Sequence, residues 1–198
     1  MKEETGKTID YGKYEGQTFG QILDGLARDV PDKEMISFNG ERITYGQFYQ
    51  RVMQIAMALK KLGIKKGDRV AALFPNCPDF FVVQQAVLYT GAVFVLLSTR
   101  YREYELSYML KHSGARVLFT IDEYLKTSFT DIIDKVRPEL PSLEFCFVMG
   151  SKVPSWGRPF EEALNLGKDL DEKLLREDLP GYDDTASILY TSGSTGLP

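Results

Sequence analysis

The sequence contains few of the residues on which disulfide frameworks and histidine sites depend. Its two cysteines, Cys77 and Cys146, are too few for a disulfide framework and lack the spacing of a zinc site. The single histidine, His112, leaves no second imidazole for a metal site and has no triad partner near it in the sequence. We therefore interpret His112 as a surface residue that caps the end of a helix.

The chain also lacks an excess of positive charge and a long apolar run. Lys plus Arg is 24 and Asp plus Glu is 28, so the formal net charge is −4 and no basic patch is expected for nucleic acid. The first residues, 1–5, are polar and do not resemble a signal peptide. The longest apolar stretch, 86–97, is shorter than the roughly 20 residues of a membrane span. We predict no nucleic-acid partner, no transmembrane segment and a cytoplasmic location.

What the sequence does contain is an alternation of short apolar runs and helical periodicity. With 198 residues, 43% hydrophobic, the chain is long enough for one good core or two small ones. Apolar runs that read as buried strands and segments that read as helices follow one another in this order: strand 69–74, helix 80–90, strand 92–97, helix 103–113, strand 115–120, helix 122–136 and strand 145–149. This order predicts an α/β fold, a mostly parallel sheet with helices on both faces.

Before and after these alternating segments, the predictions depend on short stretches of sequence. Residues 1–17 are interpreted as an N-terminal tail, and 18–30 as a first helix. Asn39-Gly40 between short apolar runs predicts a hairpin, and Thr44 is placed to cap a long helix that ends near Gly63. We expect 150–181 to be a solvated loop with short helices, in which Trp156 is a packing residue.

The last 14 residues carry the strongest chemical signal. A short apolar strand, 185–190, runs into a series of hydroxyl-bearing residues and glycines: Thr191, Ser192, Gly193, Ser194, Thr195 and Gly196. Glycines allow successive backbone N–H groups to point inward, and small hydroxyls add donors without bulk, as in loops that hold phosphate. A P-loop is excluded because no Lys follows Gly196, and a nucleophile elbow because Ser194 directly follows Gly193.

Residues 190–198 (YTSGSTGLP) resemble the phosphate-binding signature of the adenylate-forming synthetase and ligase superfamily. The similarity extends to 43–48 (ITYGQF) and 63–80 (GIKKGDRVAALFPNCPDF), and is greatest to fatty-acid and other acyl-CoA synthetases. One departure is 96–101 (LLSTRY), where the family has Pro and Asn or Asp. The resemblance assigns 18–198 to the N-terminal α/β portion of an AMP-binding domain, incomplete at its C-terminus.

The resemblance implies an ATP-dependent ligase. Family members convert a carboxylate and ATP into an acyl-adenylate and pyrophosphate, and then transfer the acyl group to coenzyme A. Carried over, Thr191 to Gly196 hold the β- and γ-phosphates, and Thr191 helps to place Mg²⁺. The family's catalytic residues fall beyond Pro198, so we assign none within this chain and expect it to be inactive without the C-terminal remainder.

Other functions remain open at this point. An aryl-CoA ligase and a peptide-synthetase adenylation domain share the same motif, and the acyl pocket is built mostly from later residues. A different class, a non-catalytic α/β module for nucleotide binding or protein interaction, would keep the scaffold without turnover. The sequence does not choose the carboxylic acid.

Overall fold

A six-stranded sheet organises most of the chain in the computed structural model, which describes residues 11–191. The strands are β1 Glu34–Phe38, β2 Glu41–Thr44, β3 Arg69–Leu73, β4 Val93–Leu97, β5 Val117–Ile121, β6 Glu123–Tyr124, β7 Thr127–Ser128, β8 Phe145–Met149, β9 Arg158–Pro159 and β10 Ser187–Ile188. The α-helices are α1 Phe19–Asp29, α2 Tyr45–Lys61, α3 Pro78–Thr90, α4 Glu103–Ser113, α5 Phe129–Val136, α6 Phe160–Leu166 and α7 Glu172–Leu175. Short 3₁₀ helices cover Tyr11–Tyr14 and Arg137–Glu139.

The large sheet is parallel throughout and has the order β10-β4-β3-β5-β8-β9. Within this sheet the chain passes first through the central strand β3, moves to β4 on one side and then crosses to β5 and β8 on the other. The crossovers from β3 to β4, β4 to β5 and β5 to β8 each carry a helix, because parallel neighbours cannot be joined by a tight turn. The predicted α/β class is confirmed.

Helices cover both faces of the sheet, and the alternation along β3 shows why. Val70 and Ala72 point into one apolar cluster, with α1, α2, α3 and α6, whereas Ala71 and Leu73 point into the other, with α4 and α5. Because successive side chains of a strand point to opposite faces, a strand covered on both sides must be apolar at every position. The continuous apolar runs of the sequence therefore correspond to the central strands of the sheet, β3, β4 and β5.

The local signals before β3 are also confirmed. Asn39 (φ 50°) and Gly40 (φ 85°) form the left-handed turn between β1 and β2. The Thr44 hydroxyl accepts the Gln47 N–H at 3.3 Å, while the Gln47 side-chain oxygen accepts the Thr44 N–H at 3.0 Å. This reciprocal capping box starts α2 where the sequence placed it.

Two predictions need correction. The helix expected over 122–136 begins only at Phe129, because Glu123–Ser128 form the hairpin β6–β7, with Leu125 (φ 48°) and Lys126 (φ 64°) in the left-handed region. The Asp122 carboxylate accepts the N–H groups of Glu123 at 2.6 Å and of Ser151 at 2.9 Å. The first bond satisfies a local N–H in a non-helical conformation, and the second connects the turn to a segment 29 residues later; a periodicity pattern reveals neither.

The segment 150–181 is more than a solvated loop with short helices. Its helix α6 buries Phe160 and Ala163, and α7 buries Leu175, all in the cluster on the α2 side of the sheet. Trp156 packs against the opposite cluster, as expected for a packing residue. The segment therefore completes the core rather than merely connecting two parts of it.

An ion-pair cluster at the amino ends of β5 and β8 is expected to make the stability of the fold depend on pH. The Arg116 guanidinium donates to Glu144 Oε1 at 2.7 Å and Oε2 at 2.9 Å, and also to Asp68. The hydrogen bonds and positive charge of Arg116 hold the pKa of Glu144 below its ordinary value. A carboxyl whose folded-state pKa is lowered stabilises the fold above its unfolded-state pKa, and this contribution is lost as the pH falls through the folded-state pKa.

Glu144→Gln is therefore expected to destabilise the protein near pH 6 by about 0.5 kcal/mol, a value reduced by solvent screening. The difference from the wild type should shrink towards pH 3, and urea unfolding at both pH values measures it. The exposed Glu161→Gln is the control. A difference for Glu144→Gln that is the same at pH 3 and pH 6 would contradict this assignment.

Candidate active site

A cleft of about 770 Å³ opens at the carboxyl ends of β3 and β4. Its lining comes from the chain after these two strands, from the first turns of α3 and from the β6–β7 hairpin: Phe74, Pro75, Asn76, Phe80, Phe81, Gln84, Leu96, Leu97, Ser98, Thr99, Arg100, Arg102, Tyr124, Leu125 and Thr127. Open parallel sheets bind ligands outside the carboxyl ends of their strands, and this volume is typical of small-molecule sites. The cleft is therefore the candidate site.

The turn that follows β4 forms the positively charged wall of the cleft. Arg102 Nη1 donates to the carbonyl oxygens of Thr99 (3.0 Å), Arg100 (3.1 Å) and Tyr101 (2.9 Å), and the Ser98 hydroxyl accepts the Arg100 N–H at 3.2 Å. This is the stretch that departs from the family pattern. Here an arginine, by bonding three successive carbonyls, holds the turn that a proline would otherwise restrict.

Arg100 is the second cation of this wall. Within residues 11–191, its guanidinium has no hydrogen bond to the protein and no ion pair, in contrast to that of Arg102. Apolar side chains such as Phe81 and Leu96 lie on the same cleft. An exposed, uncompensated guanidinium beside apolar walls favours a ligand that combines an anionic group with an apolar part.

The described residues show no ready-made site for a bound metal ion. No group of three or more His, Cys, Asp or Glu side chains comes together between residues 11 and 191. Mg²⁺ bound with a nucleotide keeps several waters and the phosphate oxygens, and needs only one or two protein ligands.

Of the predicted phosphate residues, the structure describes Thr191 alone, which is exposed. Ser192, Gly193, Ser194, Thr195 and Gly196 lie outside the described residues. β10 pairs in parallel with β4, with Ser187 opposite Phe94 and Ile188 opposite Val95, so the chain reaches Thr191 along the edge of the sheet beside β4. Thr191 does not line the cleft itself, and the phosphate-binding role of the six residues remains a prediction.

Sequence reasoning missed the partner of His112. His112 lies in the last turn of α4, as expected, but its Nδ1 is 3.0 Å from the hydroxyl of Tyr190, which also donates to the Met109 carbonyl at 3.2 Å. Burial raises the pKa of the Tyr190 hydroxyl. A separation of 78 residues gives no local pattern from which this contact could have been read.

The helices between residues 11 and 191 include none that is long and apolar enough to cross a membrane.

The parallel sheet with a cleft at its carboxyl edge defines the class of α/β ligand-binding domains. Within that class, the sequence pattern of the family described as AMP-binding enzyme matches residues 23–198. The chain belongs to this family.

The proteins that this chain matches include acyl-CoA and aryl-CoA ligases. YngI of Bacillus subtilis, named as an acyl-CoA synthetase, is 33% identical over 198 residues, covering 91% of this chain and 36% of its own length. The long-chain-fatty-acid–CoA ligase of the same organism is 28% identical, covering 92% of this chain and 35% of its own length. The crystal structure of the anthranilate CoA ligase AuaEII in complex with anthranoyl-AMP superposes with a TM-score of 0.80 at 25% identity, over 91% of this chain and 33% of that one.

The chain therefore spans about a third of the length of the relatives that it matches.

Proposed function

We propose that this chain is the N-terminal part of an ATP-dependent acyl-CoA synthetase. The complete enzyme would join a carboxylate and ATP into an acyl-adenylate with release of pyrophosphate, and then transfer the acyl group to coenzyme A. The observation that carries the proposal is the match of residues 23–198 to the AMP-binding family, which includes the hydroxyl- and glycine-rich stretch directly after β10. The relatives named as acyl-CoA ligases support the acyl class of substrate.

The chemical difficulty is that two anions, a carboxylate and a triphosphate, must approach each other. Backbone N–H groups and hydroxyls of Thr191 to Gly196 would hold the β- and γ-phosphates and stabilise the charge that develops on the leaving pyrophosphate. Mg²⁺ bound to ATP would neutralise part of that charge. We assign the hydroxyl of Thr191 as the group of this chain that would help to hold the ion.

The cleft would contribute through Arg100. Its unpaired guanidinium at the carboxyl edge of the sheet produces a positive potential where anionic substrates enter, although the formal net charge of the chain is −4. The role of this residue is therefore attraction and orientation of an anion, with no bond to the reacting atoms assigned. We place the enzyme in the cytoplasm.

Carboxylate-dependent exchange of pyrophosphate into ATP tests the proposal. The reading frame beyond codon 198 gives the complete chain, which is expected to catalyse exchange. The 198-residue chain alone is expected to show none, because the remaining groups for adenine, ribose and the carboxylate would be missing. Pyrophosphate release by the 198-residue chain would contradict the second expectation, and a complete chain that binds ATP without exchange would favour a non-catalytic nucleotide-binding module.

An aryl acid is the second candidate substrate, because the structural neighbour AuaEII is named as an anthranilate CoA ligase. A panel of long-chain, medium-chain and aromatic acids in the same assay separates the two. We expect the highest kcat/KM with a fatty acid. An aromatic acid that exceeds every fatty acid would assign the enzyme to the aryl-CoA ligases.

A further inference from the structure

The end of the described chain is attached to the sheet by few bonds. β10 pairs with β4 over two residues, Ser187 and Ile188, within residues 11–191. Beyond them Leu189 is 63% exposed, whereas Tyr190 is half-buried and packs with Ile188 against the cluster on the α4 side. The alternation of a strand therefore continues to Tyr190, although its ladder ends two residues earlier.

The Tyr190 side chain connects this segment to α4. Its hydroxyl lies 3.2 Å from the Met109 carbonyl oxygen and 3.0 Å from His112 Nδ1. Both contacts are satisfied at once when Nδ1 carries the imidazole proton, because Nδ1–H then donates to the hydroxyl oxygen and the hydroxyl donates to the carbonyl. One phenol hydroxyl thereby links the segment after β10 to two residues of the C-terminal half of α4.

Aromatic packing holds the imidazole in position for this bond. The His112 ring stacks on Tyr108 with centroids 5.5 Å apart and an angle of 11° between the planes. The Tyr190 ring meets both of them edge-on, at 5.9 Å from His112 and 6.4 Å from Tyr108. The three rings form one cluster. Two of them belong to α4, the helix that begins beside Arg102 at the cleft.

We propose that Tyr190 is a positioning residue for the nucleotide. The hydrogen bonds of its hydroxyl to His112 and Met109 would fix the point from which Thr191 to Gly196 depart, and so set how tightly these residues hold the phosphates of ATP. The inference rests on the proposed function. It extends it by giving a role to two residues, His112 and Tyr190, that lie outside the phosphate-binding stretch itself.

Kinetics of the complete enzyme test this role, with pyrophosphate exchange as the assay. Tyr190→Phe keeps the ring and removes only the hydroxyl. Loss of its bonds to His112 and Met109 is expected to raise the KM for ATP about fivefold, and to leave the KM for the carboxylate unchanged. A purely structural role would instead reduce the amount of active enzyme and leave both KM values as they are.

Substitution of His112 supplies the second arm. His112→Ala should also raise the KM for ATP, and the double variant should show no increase beyond that of Tyr190→Phe, because Tyr190→Phe already removes the bond to His112 together with the bond to Met109. His112→Asn should restore part of the affinity, since its amide can occupy the position of Nδ1 and hydrogen-bond the hydroxyl. The matched control is Tyr104→Phe, the same change at a 64% exposed tyrosine of α4, which should behave as the wild type.

The outcomes separate this inference from the proposed function. An active wild type in which Tyr190→Phe keeps the ATP KM within twofold overturns the positioning role and leaves the ligase assignment intact. Equal increases in the KM for ATP and for the carboxylate also overturn it, because the effect would then not be specific to the phosphates. Absence of exchange in the wild type removes the proposed function and this inference together.

Discussion

Gly167→Ala is expected to lower the free energy of unfolding by about 3 kcal/mol, the upper part of the range for an overpacked site. A Cβ atom on Gly167 would lie 1.7 Å from the carbonyl oxygen of Gln54 and 2.6 Å from its carbonyl carbon. Both are backbone atoms in the middle of α2, so no side-chain rotation can make room. The chain after α6 would have to move away from α2.

Hydrogen bonds oppose that movement. Lys61 at the end of α2 donates through Nζ to the carbonyl oxygens of Leu166 (2.9 Å) and Asp169 (3.0 Å), on either side of Gly167. α6 also holds Phe160 fully against the core, in edge-on contact with Phe74 and Phe119. The segment is therefore fixed at both ends, and the added methyl group must strain one of these contacts.

Urea unfolding of the purified chain measures the effect, with Gly25→Ala as the matched control. Gly25 lies inside α1, and a Cβ there would meet no atom closer than Arg28 Nη2 at 3.9 Å. Because alanine loses less conformational freedom than glycine in a helix, Gly25→Ala should stabilise by roughly 0.5–1 kcal/mol. If Gly167→Ala proves as well tolerated as Gly25→Ala, the close contact between α2 and the end of α6 is not made.

Gly193→Ala is expected to reduce the kcat/KM for ATP of the complete enzyme about a hundredfold. The residues from Thr191 to Gly196 are proposed to hold phosphate with backbone N–H groups, which requires the backbone to approach the anion closely. A methyl group at Gly193 would occupy part of that space and disturb the direction of neighbouring donors. Removal of a single preorganised donor typically costs about 10²–10³ in rate.

Initial rates of pyrophosphate exchange at varied ATP concentration measure this effect, and the same substitution at Gly181 is the control. Gly181 lies ten residues upstream of Thr191, and a Cβ there would meet Asp184 Oδ2 at 3.6 Å, an ordinary contact. Gly181→Ala should keep more than half of the wild-type activity. Wild-type kinetics in Gly193→Ala would show that the hydroxyl- and glycine-rich stretch does not hold the nucleotide.

The sequence by itself determined the class of fold and the family. Residues 70–74 and 92–95 are apolar at successive positions because both faces of β3 and β4 are covered there, and this burial is readable without coordinates. Thr44 and Asn39-Gly40 were equally readable, since a capping box and a left-handed turn depend on neighbours within a few residues. The stretch 190–198 pointed to the AMP-binding family for a similar reason, because a signature of consecutive residues is readable without coordinates.

Tertiary structure alone decided the features that depend on residues far apart in the chain. The hairpin at Leu125 and Lys126 replaced an expected helix because Asp122 bonds the N–H groups of a segment about 30 residues later. The cleft lies where the carboxyl ends of β3 and β4 meet the β6–β7 hairpin. Arg100 lines it because β4 is placed next to β3 in the sheet, which the neighbours of Arg100 in the sequence do not show. His112 gained a partner in Tyr190 only because α4 packs beneath β10. Contacts of this kind depend on how the helices pack on the sheet. Local periodicity shows which side of a helix or strand is apolar, but it does not show which distant residue will cover that side.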